Sequence, residues 1–341
     1  MEFLYQYGLF LAKAVTLVAA ILLVVGGIIA LASKQKQGKG QLEINSLSDG
    51  LQEIKDHAEH LLLDKESLKK AEKEKKKTEK AKKKSKEPEP VKSNLFVIDF
   101  NGSMDAHEVE SLREEVTAIL CVAKEHDEVL VRLESGGGVV HGYGLAASQL
   151  QRIKDKDIKL TISVDKVAAS GGYMMACVAD TVLAANFAII GSIGVIAQIP
   201  NFNKVLKKNN IEFEQHTAGQ FKRTLTMFGE NNDEGREKFK EELEDVHQMF
   251  KGFVSEHRPS LDIDKVATGE YWYGTKAKEL GLVDTIQTSD DYLLTENETK
   301  KIYSVKFSQK KKLAEKIGIA ASTAVQSVAV GLLSKGQTLF K

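Results

Sequence analysis

Ser170 stands between Ala169 and the pair Gly171-Gly172. Small residues on both sides let another backbone, or a substrate, come within contact distance of its hydroxyl. Leu160 to Val164 before it read as a strand, and Tyr173 to Ala179 after it as a buried helix. A serine at such a turn has amide neighbours near a helix N-terminus, where N–H groups point outward unpaired. A nucleophile and an oxyanion donor can be placed there together. A buried Gly-rich packing turn explains the same residues, and composition alone does not separate the two.

A serine nucleophile needs a base. His141, just after a glycine cluster, and His216 are candidates, but neither has an orienting carboxylate nearby in sequence. Lysine is the other option: in a dry pocket an ammonium loses solvation, its pKa falls, and the neutral amine can take the serine proton. Lys222, in Ala218-Gly219-Gln220-Phe221-Lys222, is flanked by Gly and Phe as a lysine held close to backbone would be. A lone loop lysine is normally solvated, so the residues leave the base open. No HExxH helix and no GxxxxGK[ST] loop is present, so no metal and no nucleotide cofactor is expected. Cys121 and Cys177 fall in apolar helical patterns and read as packing residues.

The elements that must position Ser170 alternate. Asn94 to Phe100 is an apolar strand, His107 to Lys124 a helix, and Glu128 to Leu133 a strand ending at Ser135-Gly136-Gly137-Gly138. Gly144 to Ile153 reads as a helix and leads to the strand at Leu160. This order argues for parallel strands with crossover helices, whose strand C-termini carry the site. Two Gly-rich turns therefore converge on one edge. Val182 to Pro200 is apolar, yet Asn186, Ser192 and Gln198 favour a buried strand pair over a membrane span. Beyond it the pattern predicts a helix over 202–209, a strand over 211–215 and a loop over 217–225. A long helix follows over 233–257, capped by Asn232 or Asp233, then an aromatic turn at Tyr271-Trp272-Tyr273-Gly274 and a final short strand after Val283.

Four regions follow from composition. Residues 1–33 form an N-terminal anchor, in which Ala14 to Ala32 runs nineteen residues without a charge, enough to cross a bilayer core. Residues 34–93 form a charged spacer, expected to be helical from Ser46 to about Lys86, with a Pro linker at 87–90. Lys65 to Lys86 holds twelve lysines against four glutamates, so a formally neutral chain is net acidic elsewhere by about eight. No aromatic residues interleave those lysines, which argues against nucleic-acid binding. Residues 94–288 form the globular domain and 289–341 a C-terminal extension. In the extension, Ile317 to Leu333 is an uncharged small-residue helix for an oligomer or membrane contact. Lys34, Lys36 and Lys39 after the span favour a cytoplasmic domain by the positive-inside rule.

The segments LESGGGVVHGYGLAASQLQRI (133–153), VDKVAASGGYMMACVAD (164–180), GSIGV (191–195), HTAGQFKRTLT (216–226) and ATGEYWYGTKAKELGLVD (267–284) occur in this order. Together they resemble the membrane-anchored signal peptide peptidase A family of serine–lysine proteases, most closely its SohB branch. The resemblance implies an α/β, crotonase/ClpP-like β-α superfold behind an N-terminal transmembrane helix and a charged helical arm. It implies hydrolysis of polypeptides, such as signal-peptide remnants or misfolded membrane-associated chains, through an acyl-enzyme. Ser170 matches the nucleophile and Lys222, 52 residues on, the general base. The oxyanion donors correspond to Gly171 and to Gly137 or Gly138, and Ser192 to a serine that orients the lysine. A ring-like homo-oligomer at the bacterial inner membrane, with its peptidase domain on the periplasmic side, is implied as well. One departure is visible: the family has Ser-Pro-Gly-Gly, whereas Gly136 follows Ser135 here, which removes the proline's rigidity. A silent membrane scaffold and a crotonase-like acyl-CoA enzyme are the rival expectations.

Overall fold

The computed structural model describes residues 40–64 and 92–309, with a few isolated positions outside them. The expected span over 14–32, the lysine-rich run and the small-residue stretch over 317–333 lie almost wholly outside the described residues. Among those described, no helix is long and apolar enough to cross a membrane. The chain divides into two units, one of residues 42–306 and one of the termini, 1–41 with 307–341. The site belongs entirely to the first.

That unit is a mixed α/β fold around a large sheet. Its strands are β1 (Gln41–Ser46), β2 (Asn94–Gly102), β3 (Glu128–Ser135), β4 (Lys159–Val164), β5 (Val167–Ala169), β6 (Thr181–Ala184), β7 (Ile189–Gly191), β8 (Tyr271–Tyr273), β9 (Thr285–Ile286) and β10 (Lys301–Ser308). The order is β1-β10-β2-β3-β4-β6-β9, and from β10 to β9 neighbouring strands run parallel. β2 to β4 are buried on both faces, which is why they read as near-continuous apolar runs. Phe96, Ile98 and Phe100 join the main core, while Leu95 and Val97 pack with Leu130, Tyr292 and Ile302 in a second, smaller core.

Crossover helices join the strands: α1 (Leu47–Leu62) precedes β2, α2 (Val109–Val122) links β2 to β3, and α3 (Val140–Lys154) links β3 to β4. α2 buries Val109, Leu112, Val116 and Ile119 on one face. α3 begins four residues before the predicted Gly144, because Gly142 lies in a close approach rather than a break. A Cβ there would sit 2.8 Å from the Ala106 methyl. The helix predicted over 46–86 starts on the Ser46 cap as expected, but α1 ends at Leu63, whose backbone is extended.

Later elements depart further from expectation. Two strands do form within 182–200, yet they do not pair with each other: β6 joins β4 and β9, whereas β7 joins β5 and β8. The aromatic turn is strand β8, antiparallel to β7. The segment 211–215 finds no partner and is irregular. After α4 (Gly171–Ala176) and α5 (Asn203–Lys208), α6 (Asp233–His257) forms as predicted, with the Asn232 side chain accepting from Gly235 N at 2.8 Å. α7 (Ile263–Val266), α8 (Gly274–Glu279) and α9 (Ser289–Glu296) complete the set. α9 and β10 lie beyond residue 288 and still build the same sheet and core. At the end of α6 the Arg258 guanidinium makes two bonds of 2.8 Å to Asp284, whose carboxylate also accepts from Val182 N of β6.

Glu128, at the start of β3, is nearly inaccessible and carries a charge into the sheet. Burial pushes its carboxyl up, but hydrogen bonds from Lys300, from Thr161 (2.6 Å) and from Tyr292 (2.5 Å), together with the Lys159 charge, hold it below the usual glutamate range. A depressed folded pKa stabilises the fold above the unfolded value of 4.5 and ceases to do so as pH falls through the folded value. Lys300→Ala, which leaves that buried charge short of a partner, is expected to cost about 3 kcal/mol at pH 7. Thermal unfolding of the full chain should show the deficit of this variant shrinking below pH 4.5.

Candidate active site

β5 stops at Ala169, and the next residue carries the turn. Ser170 has φ 52° and ψ −120°, a left-handed conformation that a non-glycine residue adopts at a cost of about 1–3 kcal/mol. Its N–H donates to Gly191 O at 2.8 Å, and its carbonyl accepts from Met174 N at 3.0 Å in the first turn of α4. With both backbone groups bonded, the strained turn is held in place. The half-buried side chain makes no hydrogen bond among the described residues, so the hydroxyl is free.

The partner turn reaches Ser170 because β3 changes neighbours along its length. Residues 128–132 pair with β4, but Ser135 pairs with Ala168 of β5. The glycines that follow therefore run directly against the serine turn. A Cβ on Gly137, whose φ is +84°, would lie 2.6 Å from Gly171 N; one on Gly172 would lie 2.5 Å from Ser135 O. A Cβ on Gly138 would collide with Met104 O. Only bare backbone fits at these three positions. Gly136 is different: a Cβ there meets nothing within 4 Å, so the missing proline leaves open space.

Amide directions separate the neighbouring glycines. Gly137 N donates to Ser135 Oγ at 3.1 Å, and Val139 N to Met104 O at 2.9 Å. Gly138 N, between them, and Gly171 N, at the first position of α4, donate to nothing among the described residues. The structure thus brings together Ser170, Gly171, Gly137 and Gly138.

Lys222 is not joined to them. It is exposed, its N–H bonds Gly219 O at 3.2 Å in a tight turn with Gly219 at φ +97°, and its ammonium makes no ion pair among the described residues. Among the described residues no dry pocket of the kind a lysine base requires encloses Lys222. Ser192, next to the Gly191 that anchors Ser170, has φ 51°; its N–H donates to Glu270 O (2.7 Å) and its hydroxyl to Gly269 O (3.3 Å). His141 is exposed, and His216 is exposed beside Glu214 at 3.4 Å. Sequence reasoning passed over Ser135 and Tyr143 as chemistry-bearing residues. Their one signal was a polar side chain just before the glycines and an aromatic ring between Gly142 and Gly144.

Two family profiles cover nearly the whole chain, Peptidase family S49 N-terminal over residues 2–150 and Peptidase family S49 over residues 152–303. The chain belongs to peptidase family S49 and is a peptidase by class. It is 53% identical over 327 residues to a probable protease SohB of Haemophilus influenzae, a match that covers 93% of this chain and 92% of that one. It is 51% identical over 306 residues to a probable protease SohB of Buchnera aphidicola, which covers 86% of this chain and 100% of that one. Among solved structures, a mutant of the 1510-N membrane-bound stomatin-specific protease in complex with a substrate peptide aligns at 13% identity and a TM-score of 0.43. That alignment covers 67% of this chain and 97% of the other.

The strain at Ser170 has a measurable signature. Ser170→Gly removes the Cβ that disfavours φ 52°, whereas Ser170→Ala removes the hydroxyl and keeps the Cβ. Thermal unfolding is expected to find the glycine variant more stable than the alanine variant by about 1 kcal/mol. An alanine variant more stable than the glycine variant would mean that the turn stores no strain, because glycine loses about 0.4–1 kcal/mol more chain entropy on folding.

Proposed function

We propose that this chain is a membrane-anchored serine endopeptidase in which Ser170 is the nucleophile and Lys222 the general base. The observation that carries this reading is the Ser170 hydroxyl, on a strained turn beside the Gly138 and Gly171 amides, all three unbonded among the described residues. The fold that supports it is the crotonase/ClpP-like superfold, in which parallel strands deliver Gly-rich turns to one edge. Neutral Lys222 deprotonates Ser170, whose Oγ attacks the scissile carbonyl. Gly171 N and Gly138 N donate to the oxyanion, and Gly137 serves as the bare backbone between them. In comparable sites one such donor is worth about 10²–10³ in rate. Protonated Lys222 gives its proton to the leaving amine, and water then hydrolyses the acyl-enzyme by the same route.

The base requires a second event. Water stabilises an exposed ammonium, so in this mechanism something must remove water from Lys222 before it can act. In this reading a homo-oligomer does so. Phe187 is 84% exposed and Ile196 79%, and Phe221, Met227 and Phe228 near the lysine are exposed as well, which suits a surface that a second copy covers. Substrates are polypeptides at the membrane, signal-peptide remnants or misfolded chains. The apolar run over 14–32 supports anchoring in a membrane, and the resemblance to the family favours the bacterial inner membrane with the peptidase domain on the periplasmic side. The lysines at 34, 36 and 39 argue for the opposite face. Digestion of the domain by added protease in intact spheroplasts supports the periplasmic placement, and protection until permeabilisation rejects it.

The mechanism is tested with the detergent-solubilised full chain and an unfolded polypeptide substrate. Ser170→Ala, Lys222→Ala and Lys222→Arg are each expected to lose at least about 10³-fold in kcat/KM. Full turnover in Lys222→Arg, whose guanidinium cannot act as a base, would refute the lysine mechanism.

A further inference from the structure

Tyr143 lies in α3, completely buried, and its hydroxyl is the middle of a one-way chain of hydrogen bonds. The phenol donates its single proton to Ser103 O at 2.7 Å. Toward Ser135 Oγ, 2.5 Å away, it can then only accept, so Ser135 donates. Ser135, itself buried, has its lone pairs left for Gly137 N–H at 3.1 Å. The order is Gly137 N–H to Ser135, Ser135 to Tyr143, Tyr143 to the Ser103 carbonyl. The alternative acceptor for Ser135, Gly102 O, is 3.4 Å away and weaker.

This chain acts on the glycine loop. It turns the Gly137 N–H away from Ser170 and toward Ser135, and holds Gly137 at φ +84°, which orients the peptide that carries Gly138 N–H. Val139 N on Met104 O holds the far side of the same loop. The tyrosine ring meanwhile lies against the second turn: a Cβ on Gly171 would collide with the Tyr143 ring carbon Cγ. One side chain therefore touches one donor-bearing turn by packing and the other through a bonded serine.

We infer that Tyr143 and Ser135 are positioning residues of the peptidase site, a strut that sets the spacing and direction of the Gly138 and Gly171 amides. The inference rests on the proposed reading of Ser170 as nucleophile. A tyrosine present only to fill the core would be replaced without loss by phenylalanine, which keeps the ring against Gly171. A strut would not, because without the hydroxyl Ser135 turns to Gly102 O and the bond that steers Gly137 weakens.

The test uses the full-length protein in detergent with one polypeptide substrate and a peptide aldehyde, which forms a tetrahedral adduct with a nucleophilic serine. Tyr143→Phe is expected to lower kcat about 10-fold or more with KM within about twofold, since a misplaced donor weakens the transition state and not the bound substrate. Aldehyde affinity should fall in parallel with kcat. Ser135→Ala should do the same, and the double variant should be no worse than the poorer single variant, because both break one chain. Ser135→Ala also carries the test if Tyr143→Phe does not fold. Wild-type kcat and aldehyde affinity in both single variants, with hydrolysis still abolished by Ser170→Ala, would overturn the strut alone. Hydrolysis that does not depend on Ser170 would overturn the reading beneath it as well.

Discussion

At the end of β3 the backbone of Gly137 passes so close to Gly171 N that a methyl group would not fit between them, and the rest of the site depends on that approach. It exists because β3 pairs with β4 along its body and with β5 at its tip. A strand that kept one neighbour throughout would carry its glycines past the serine turn. Branching at Ser135 sends them into it. The glycines at 137, 171 and 172 follow from this contact, since each faces backbone or ring atoms where any side chain would collide.

Close approach alone would leave the turns free to slide. Hydrogen bonds and packing remove that freedom. Ser170 is tied to Gly191 on one side and to Met174 on the other, which keeps a disfavoured conformation populated. The glycine loop is tied through Ser135 and Tyr143 to the turn after β2, and by Val139 to Met104. The bond between Ser135 and Tyr143 lies in a buried, low-dielectric region, where successive donors polarise one another and an unpaired group is costly. Far from the site, at the other end of β3, Glu128 holds Lys300, the residue before β10, and Tyr292 of α9 to the same strand. The central strand is thus anchored at its start by charge and at its tip by hydroxyls.

Lys222 follows a different logic. It sits in an irregular segment between α5 and α6, where apolar side chains such as Phe221, Met227 and Phe228 remain in contact with water. Ser170 and the amides of Gly138 and Gly171 sit on packed turns, whereas Lys222 is exposed. In the proposed mechanism, the separation of the Ser170 turn from an exposed Lys222 makes the base a matter of covering, and control over hydrolysis would lie there.

Much of this was legible in the sequence. Alternation of strands and helices from Asn94 to Ala179, with glycines at the strand ends, implied a parallel sheet and two turns on one edge, because periodicity reports which faces are buried. The start of α3 was misread because Gly142 and Gly144 resemble helix breakers, although Gly142 is there to admit Ala106. The apolar run after Val182 betrayed burial but not its partners, and β6 and β7 went to different branches of the sheet. Residue types and their order along the chain by themselves determined which side chains were available for chemistry: Ser170, Lys222 and the glycines. Tertiary structure alone decided which amides stay unbonded among the described residues, that Tyr143 touches both turns, and that Lys222 is exposed. Those are outcomes of contacts between segments tens of residues apart, and no local pattern encodes a distance of that kind.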